Sequence, residues 1–149
     1  MTTGGQDARA RLREALDEMA SSLPPRAVTV SHRPEMDEYE LFPGPPAADL
    51  EVSFGDSWAE LNTMSSEFIL DFRKDRKSID WFLAICDAVR DGRVWEVRSR
   101  WGCVQRTVYR LQSRGVRQVL RDTGYGTVRP GHLPRRERVA PWPREEARA

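Results

Sequence analysis

Cysteine, histidine and lysine are each present only twice among the 149 residues, which leaves several kinds of chemistry little to work with. Two cysteines cannot build a disulfide framework or a zinc site, and a reduced, cytoplasmic setting is expected. A cysteine nucleophile would need His32 or His132 beside Cys86 or Cys103. Cys86 falls on the apolar stripe of an expected helix, where a thiol is a small core group. A metal-dependent nuclease of the E-x-K type needs a lysine near its acids, and neither Lys74 nor Lys77 stands in that pattern. Glu96-Val97-Arg98 is E-x-R, a poor substitute because guanidinium does not release a proton.

Long apolar runs are missing too. The densest, Ile79 to Val89, is interrupted by Asp80 and Asp87 and falls short of the roughly 18 residues a membrane-crossing helix needs. Residues 1–6 lack the basic and apolar regions of a secretory signal. Phosphate-loop, dinucleotide and nucleophile-elbow patterns are absent. No cofactor, no metal ion and no membrane partner are therefore expected.

Arginine is abundant, a bias that reads as a GC-rich bacterial genome. The formal net charge is only +1, but residues 1–92 carry −8 and residues 93–149 carry +9. The two halves either meet and neutralise each other in the fold or present surfaces of opposite sign.

The hydrophobic pattern predicts a single α+β domain over residues 7–124, with 1–6 and 125–149 as flexible termini. Leu12, Ala15, Leu16, Met19 and Leu23 recur at helical spacing between Asp7 and Leu23, and Pro24-Pro25 ends that helix. Period-two alternation predicts strands at 27–32, 38–42, 50–54 and 66–72, while Trp58 to Leu61 fits a strand or a helical turn. Ile79, Phe82, Leu83, Cys86 and Val89 mark a second helix, with Gly92 where a left-handed C-terminal residue is usual. Strands follow at 94–101 and 103–111, then a short helix from Ser113 with Val116, Val119 and Leu120 inside. Val139 and Trp142 are the docking residues of an otherwise patternless tail. The expected architecture is one antiparallel sheet of five to six short strands, packed by one long helix and the N-terminal helix. The 94–111 hairpin should extend that sheet, because a two-stranded ribbon alone is marginal in water.

Three functions fit this pattern. The first is a non-enzymatic protein-binding domain, of the kind used by small bacterial inhibitors and immunity proteins. Its contacts would be Glu38, Tyr39, Glu40, Asp56, Trp58 and Glu60, an acidic and aromatic face suited to a basic protein. The second is nucleic-acid binding through an arginine-rich hairpin and helix, using Arg98, Arg100, Arg106, Arg110 and Arg117. The third is a hydrolase or nuclease around His32, where Glu35 and Asp37 supply further polar groups.

Overall fold

The structure is a computed structural model that describes residues 3–64, 66–72, 78–98, 104–125 and 135–143. Helix α1 (Thr3–Ser21) starts four residues before the expected Asp7. Its stripe of Leu12, Ala15, Leu16 and Met19 is buried, as the three-and-four spacing requires, and so is Leu23 just beyond the helix end at Ser21. Pro25–Ala27 forms one 3-10 turn behind Pro24, and the chain then enters the first sheet.

That sheet is an antiparallel meander of β1 (Val28–His32), β2 (Asp37–Leu41), β3 (Leu50–Phe54), β4 (Trp58–Thr63) and β5 (Ser66–Asp71), in sequence order. Trp58 to Leu61 resolves as strand, since Ala59, Leu61 and Thr63 alternate inward against Leu70, Phe68 and Ser66. Tyr39, Leu41, Leu50, Val52 and Phe54 complete the inner face and are almost fully buried. A sheet with one packed face shows this clean alternation, because successive side chains point to opposite sides.

Helix α2 (Ser78–Arg90) crosses to the second half of the chain, with Phe82, Leu83, Ile85, Cys86 and Val89 fully buried or nearly so. After it the architecture departs from expectation. The hairpin does not extend the first sheet. It belongs to a second antiparallel sheet, in the order β8-β7-β6-β9, made of β6 (Val94–Arg98), β7 (Val104–Ser113), β8 (Val116–Tyr125) and β9 (Arg135–Arg138). The ribbon does need companions, but Val116–Tyr125 and Arg135–Arg138 supply them.

The short helix expected after Ser113 is therefore strand β8. Arg114 (φ 54°) and Gly115 (φ 74°) both take positive φ between β7 and β8. A two-residue type I′ hairpin turn requires that conformation, and it sends the chain straight back along its partner. Val116 and Leu120 pack on the core while Arg117, Val119 and Arg121 face out. The same apolar positions also fit a three-and-four spacing, which is why they resemble a helix. Asp87 of α2 accepts hydrogen bonds from the Ser113 hydroxyl (2.9 Å) and Arg114 Nε (2.9 Å), fixing the turn to the helix.

Residues 135–143, expected within a flexible terminus, are built into the fold. β9 pairs with β6 from Trp95↔Arg138 to Arg98↔Arg135. Trp142 is buried, and its indole N–H donates to the Ala48 carbonyl at 2.9 Å.

Both inner sheet faces and both helices enclose one hydrophobic cluster. Across it, the Tyr109 hydroxyl of β7 bonds Ser66 Oγ of β5 at 2.7 Å, and the Phe68 and Tyr109 rings meet edge to face at 5.5 Å. Gly92 closes α2 at φ +68°. A Cβ there would lie 2.7 Å from the Pro141 nitrogen and 2.9 Å from the Val139 carbonyl oxygen. Gly92→Ala should therefore lower the unfolding free energy, read from the urea midpoint, by more than the roughly 1–2 kcal/mol of a left-handed L-residue, because the backbone at 139–141 must also move. An unchanged midpoint would show that this segment yields freely.

Candidate functional site

The strand registers place the charged residues on two outer faces that point away from the shared core. On the first sheet, pairing runs Thr29↔Glu40, Glu40↔Glu51, Glu51↔Asn62 and Asn62↔Glu67. The neighbouring row runs Ser31↔Glu38, Glu38↔Ser53, Ser53↔Glu60 and Glu60↔Ile69. Residues directly opposite share a face, so Glu38, Glu40, Glu51, Glu60, Glu67 and Asp71 stand together, and among the described residues no basic residue occupies a position in these rows. Trp58 and Ile69 lie on this face, and Ile69 is 71% exposed. Gly55 makes room for Trp58, since a Cβ there would come within 2.7 Å of the indole nitrogen.

Among the described residues, Glu38 has Arg33 at 3.6 Å, and no basic side chain pairs with Glu40, Glu51, Glu60 or Glu67. Among the described residues Glu60 accepts from the Asn62 amide, at 3.2 Å. Glu40 and Glu51 sit directly opposite each other, an arrangement that costs stability.

Two of the expected contacts do not belong to this surface. Tyr39 is fully buried, because it alternates with Glu38 and Glu40 and so points inward. Its ring stacks on Phe54 and its hydroxyl donates to Asp17 at 2.6 Å. Burial, then the Asp17 carboxylate, push its pKa up. Asp56 lies in the β3–β4 turn and pairs with Arg9 at 3.3 Å, on the side of α1. Glu38, Glu40, Trp58 and Glu60 remain. Glu51, Glu67, Asp71 and Ile69 join them, and the same period-two rule applied to β3 and β5 identifies these four in the sequence.

The second sheet is the electrostatic opposite. Its outer face carries Arg106 and Arg110 of β7, Arg117 and Arg121 of β8 and Arg138 of β9, all exposed. Arg98 does not share that face: it pairs with Gln105, while Val97 pairs with Arg106, so its register position falls on the other side. Arg100 lies outside the described residues. Arg110 and Arg138 both place their guanidinium over the Trp95 ring, at 5.4 and 5.9 Å from its centroid. Few ion pairs join the two halves of the chain: among the described residues they are Arg93–Asp91 and Arg114–Asp87, both at the end of α2.

The polar cluster at His32 is a third feature. Asp37 has no solvent exposure, and both of its oxygens are occupied. Oδ2 accepts from Arg9 Nε at 2.9 Å and from Arg13 at 3.0 Å, while Oδ1 accepts from Arg13 at 2.9 Å and His32 Nδ1 at 2.6 Å. Burial alone would raise this carboxyl's pKa, but the hydrogen bonds from Arg9, His32 and Arg13 outweigh it and hold it at about 2. A carboxylate so engaged is a weak proton acceptor at neutral pH. Arg9 further donates to the carbonyls of Arg33 and Pro34, so α1 is pinned to the β1–β2 turn. The adjoining open cleft of about 320 Å³ is lined by Arg9, Ala10, Arg13, Arg33, Pro34 and Asp56. No group of three or more His, Cys, Asp or Glu that could hold a metal occurs among the described residues. Burial pushes the Cys86 thiol far up, and Cys103 lies outside the described residues.

No helix among the described residues is long and apolar enough to cross a membrane. Compared with models of protein families, with curated proteins and with solved structures, the chain matches none of them. The class that the fold and its surfaces define is an α+β domain of two antiparallel sheets whose outer faces carry opposite charge.

Proposed function

We propose that this chain is a non-enzymatic binding protein that docks a basic protein surface on the outer face of its first sheet, as a small bacterial inhibitor or immunity-type protein does. The observation that carries this reading is the set of Glu38, Glu40, Glu51, Glu60 and Glu67 on one sheet face, with Arg33 at Glu38 their one basic partner among the described residues, and with Glu60 and Glu67 beside an Ile69 that is 71% exposed. Carboxylates of one sign steer a cationic partner and reject an anionic one. Trp58 and Ile69 supply the apolar contact from which most binding energy comes.

The direct test is retention of a partner by the tagged protein at low salt. Retention should be lost in Glu40→Lys with Glu51→Lys and in Trp58→Ala with Ile69→Ser, and kept in Arg110→Gln with Arg121→Gln. Equal recovery by all of them rejects this face. A second measurement separates binding from mere solvation. Glu51→Thr removes the repulsion with Glu40 and should raise unfolding stability by roughly 0.2–1 kcal/mol while weakening retention. A variant that gains stability and binds unchanged would mean that these acids only face water.

A further inference from the structure

We propose that the outer face of the second sheet is a binding site for nucleic-acid backbone, used without sequence preference and separate from the acidic face. In the β7–β8 hairpin Arg110 pairs with Val119, so Arg117 and Arg121 are its two diagonal neighbours. Arg106 pairs with Thr123 and has Arg121 on its diagonal. Arginines therefore never oppose one another directly, and each stands about 7–8 Å from the next, staggered across two strands. Between them on this face are Val108, Gln112, Val119 and Thr123, none of them acidic. Arg106, Arg110, Arg117 and Arg121 make no ion pair with any acid among the described residues, although the domain as a whole is nearly neutral.

This chemistry fits a phosphodiester chain better than an acidic protein. A protein partner offers carboxylates mixed with bases and apolar groups in one fixed register, and a matching surface carries some acids of its own to set that register. Among the described residues the charged side chains of this face are all arginine, with neutral spacers. Guanidinium forks match phosphate oxygens in paired hydrogen bonds. A backbone offers one negative charge after another and needs no unique register. Trp95 points the same way: Arg110 and Arg138 lie over its ring, which occupies aromatic surface on which bases would stack. Readout by stacking is thereby reduced, and phosphate contact remains.

The experiment is fluorescence anisotropy of a labelled, mixed-sequence DNA duplex, titrated with the full chain across a salt series. Binding is expected at low salt, with log K falling linearly against log salt by about 0.9 for each phosphate neutralised, hence a slope of about −3 to −5 for this face. Arg110→Gln with Arg121→Gln should flatten the slope by about 2 and weaken binding at least tenfold at low salt. Both side chains are exposed, and circular dichroism checks that the variant folds. Glu40→Gln with Glu51→Gln should bind DNA at least as well as the parent, so failure of the acidic-face reading and failure of this one give different results. Three outcomes overturn the proposal: no binding at low salt, a slope unmoved by the arginine substitutions, or equal affinity for polyglutamate, which would assign the face to an acidic protein.

Discussion

Asp37→Ala is expected to cost about 3–5 kcal/mol of unfolding free energy, because it removes one partner of a buried ion cluster and strands the others. Arg9 is only 13% exposed at its side chain and would lose its main counter-charge. Asp37→Asn should cost nearly as much, since an amide offers donors where Arg9, Arg13 and His32 all need acceptors. The same carboxylate sets an acid limit. Its pKa is lowered to about 2 from an ordinary 3.8. A depressed carboxyl stabilises the fold fully above the ordinary value and loses that contribution as pH falls through the folded one, so about 2 kcal/mol should vanish between roughly pH 4 and pH 2. Urea unfolding of the parent and Asp37→Ala at pH 6 and pH 2.5 reads both effects. The gap between the two proteins should be smaller at pH 2.5 than at pH 6 by most of that contribution of about 2 kcal/mol, and a constant gap would assign Asp37 a packing role only.

Trp142→Ala should be the next most damaging change, at about 3–5 kcal/mol for a buried aromatic. Two separate parts of the fold meet at this residue. Its indole donates to Ala48 ahead of β3, and its backbone N–H donates to the Arg90 carbonyl at the end of α2. Ala140 forms a parallel bridge with Ala47, and the Val139 N–H donates to Val94. Trp142→Phe keeps most of the apolar volume and loses one hydrogen bond, so it should cost less than alanine, with about 1–3 kcal/mol of its loss due to the stranded Ala48 carbonyl. Equal urea midpoints for parent and Trp142→Ala would mean that the segment past β9 contributes nothing to closing the core.

The first sheet was legible because its strands alternate with period two and have one solvated face. Leu50, Val52 and Phe54 set against Glu51 and Ser53 leave no other arrangement. The same rule places Tyr39 inside: with Glu38 and Glu40 out, their common neighbour must point in. Grouping Tyr39 with the acids by nearness in sequence was the misreading, and the signal that corrects it was present. β8 was harder, since Val116, Val119 and Leu120 fit either period, and the decisive feature is the pair of positive φ angles at Arg114 and Gly115. Arg98 and Arg106 could not be assigned to a common face from sequence, because that depends on the register between β6 and β7, which pairs Arg98 with Gln105 and Val97 with Arg106. Asp37 was visible as part of a polar cluster, but its arginine partners come from α1, 24 and 28 residues earlier, with no local pattern to announce them.

β9 has a further consequence, for the behaviour of the chain among its own copies. Without it, β6 would present the unpaired N–H and C=O groups of Val-Trp-Glu-Val-Arg at the rim of the sheet, a template onto which another strand can add. β9 covers that rim and becomes the new edge, and its own sequence is Arg-Arg-Glu-Arg. A strand made only of charged residues, mostly of one sign, repels an identical strand that approaches it edge to edge. The last strand thus shields an apolar edge of the sheet with its least sociable one, and removing residues 135–138 should make the protein more prone to aggregate as its concentration rises.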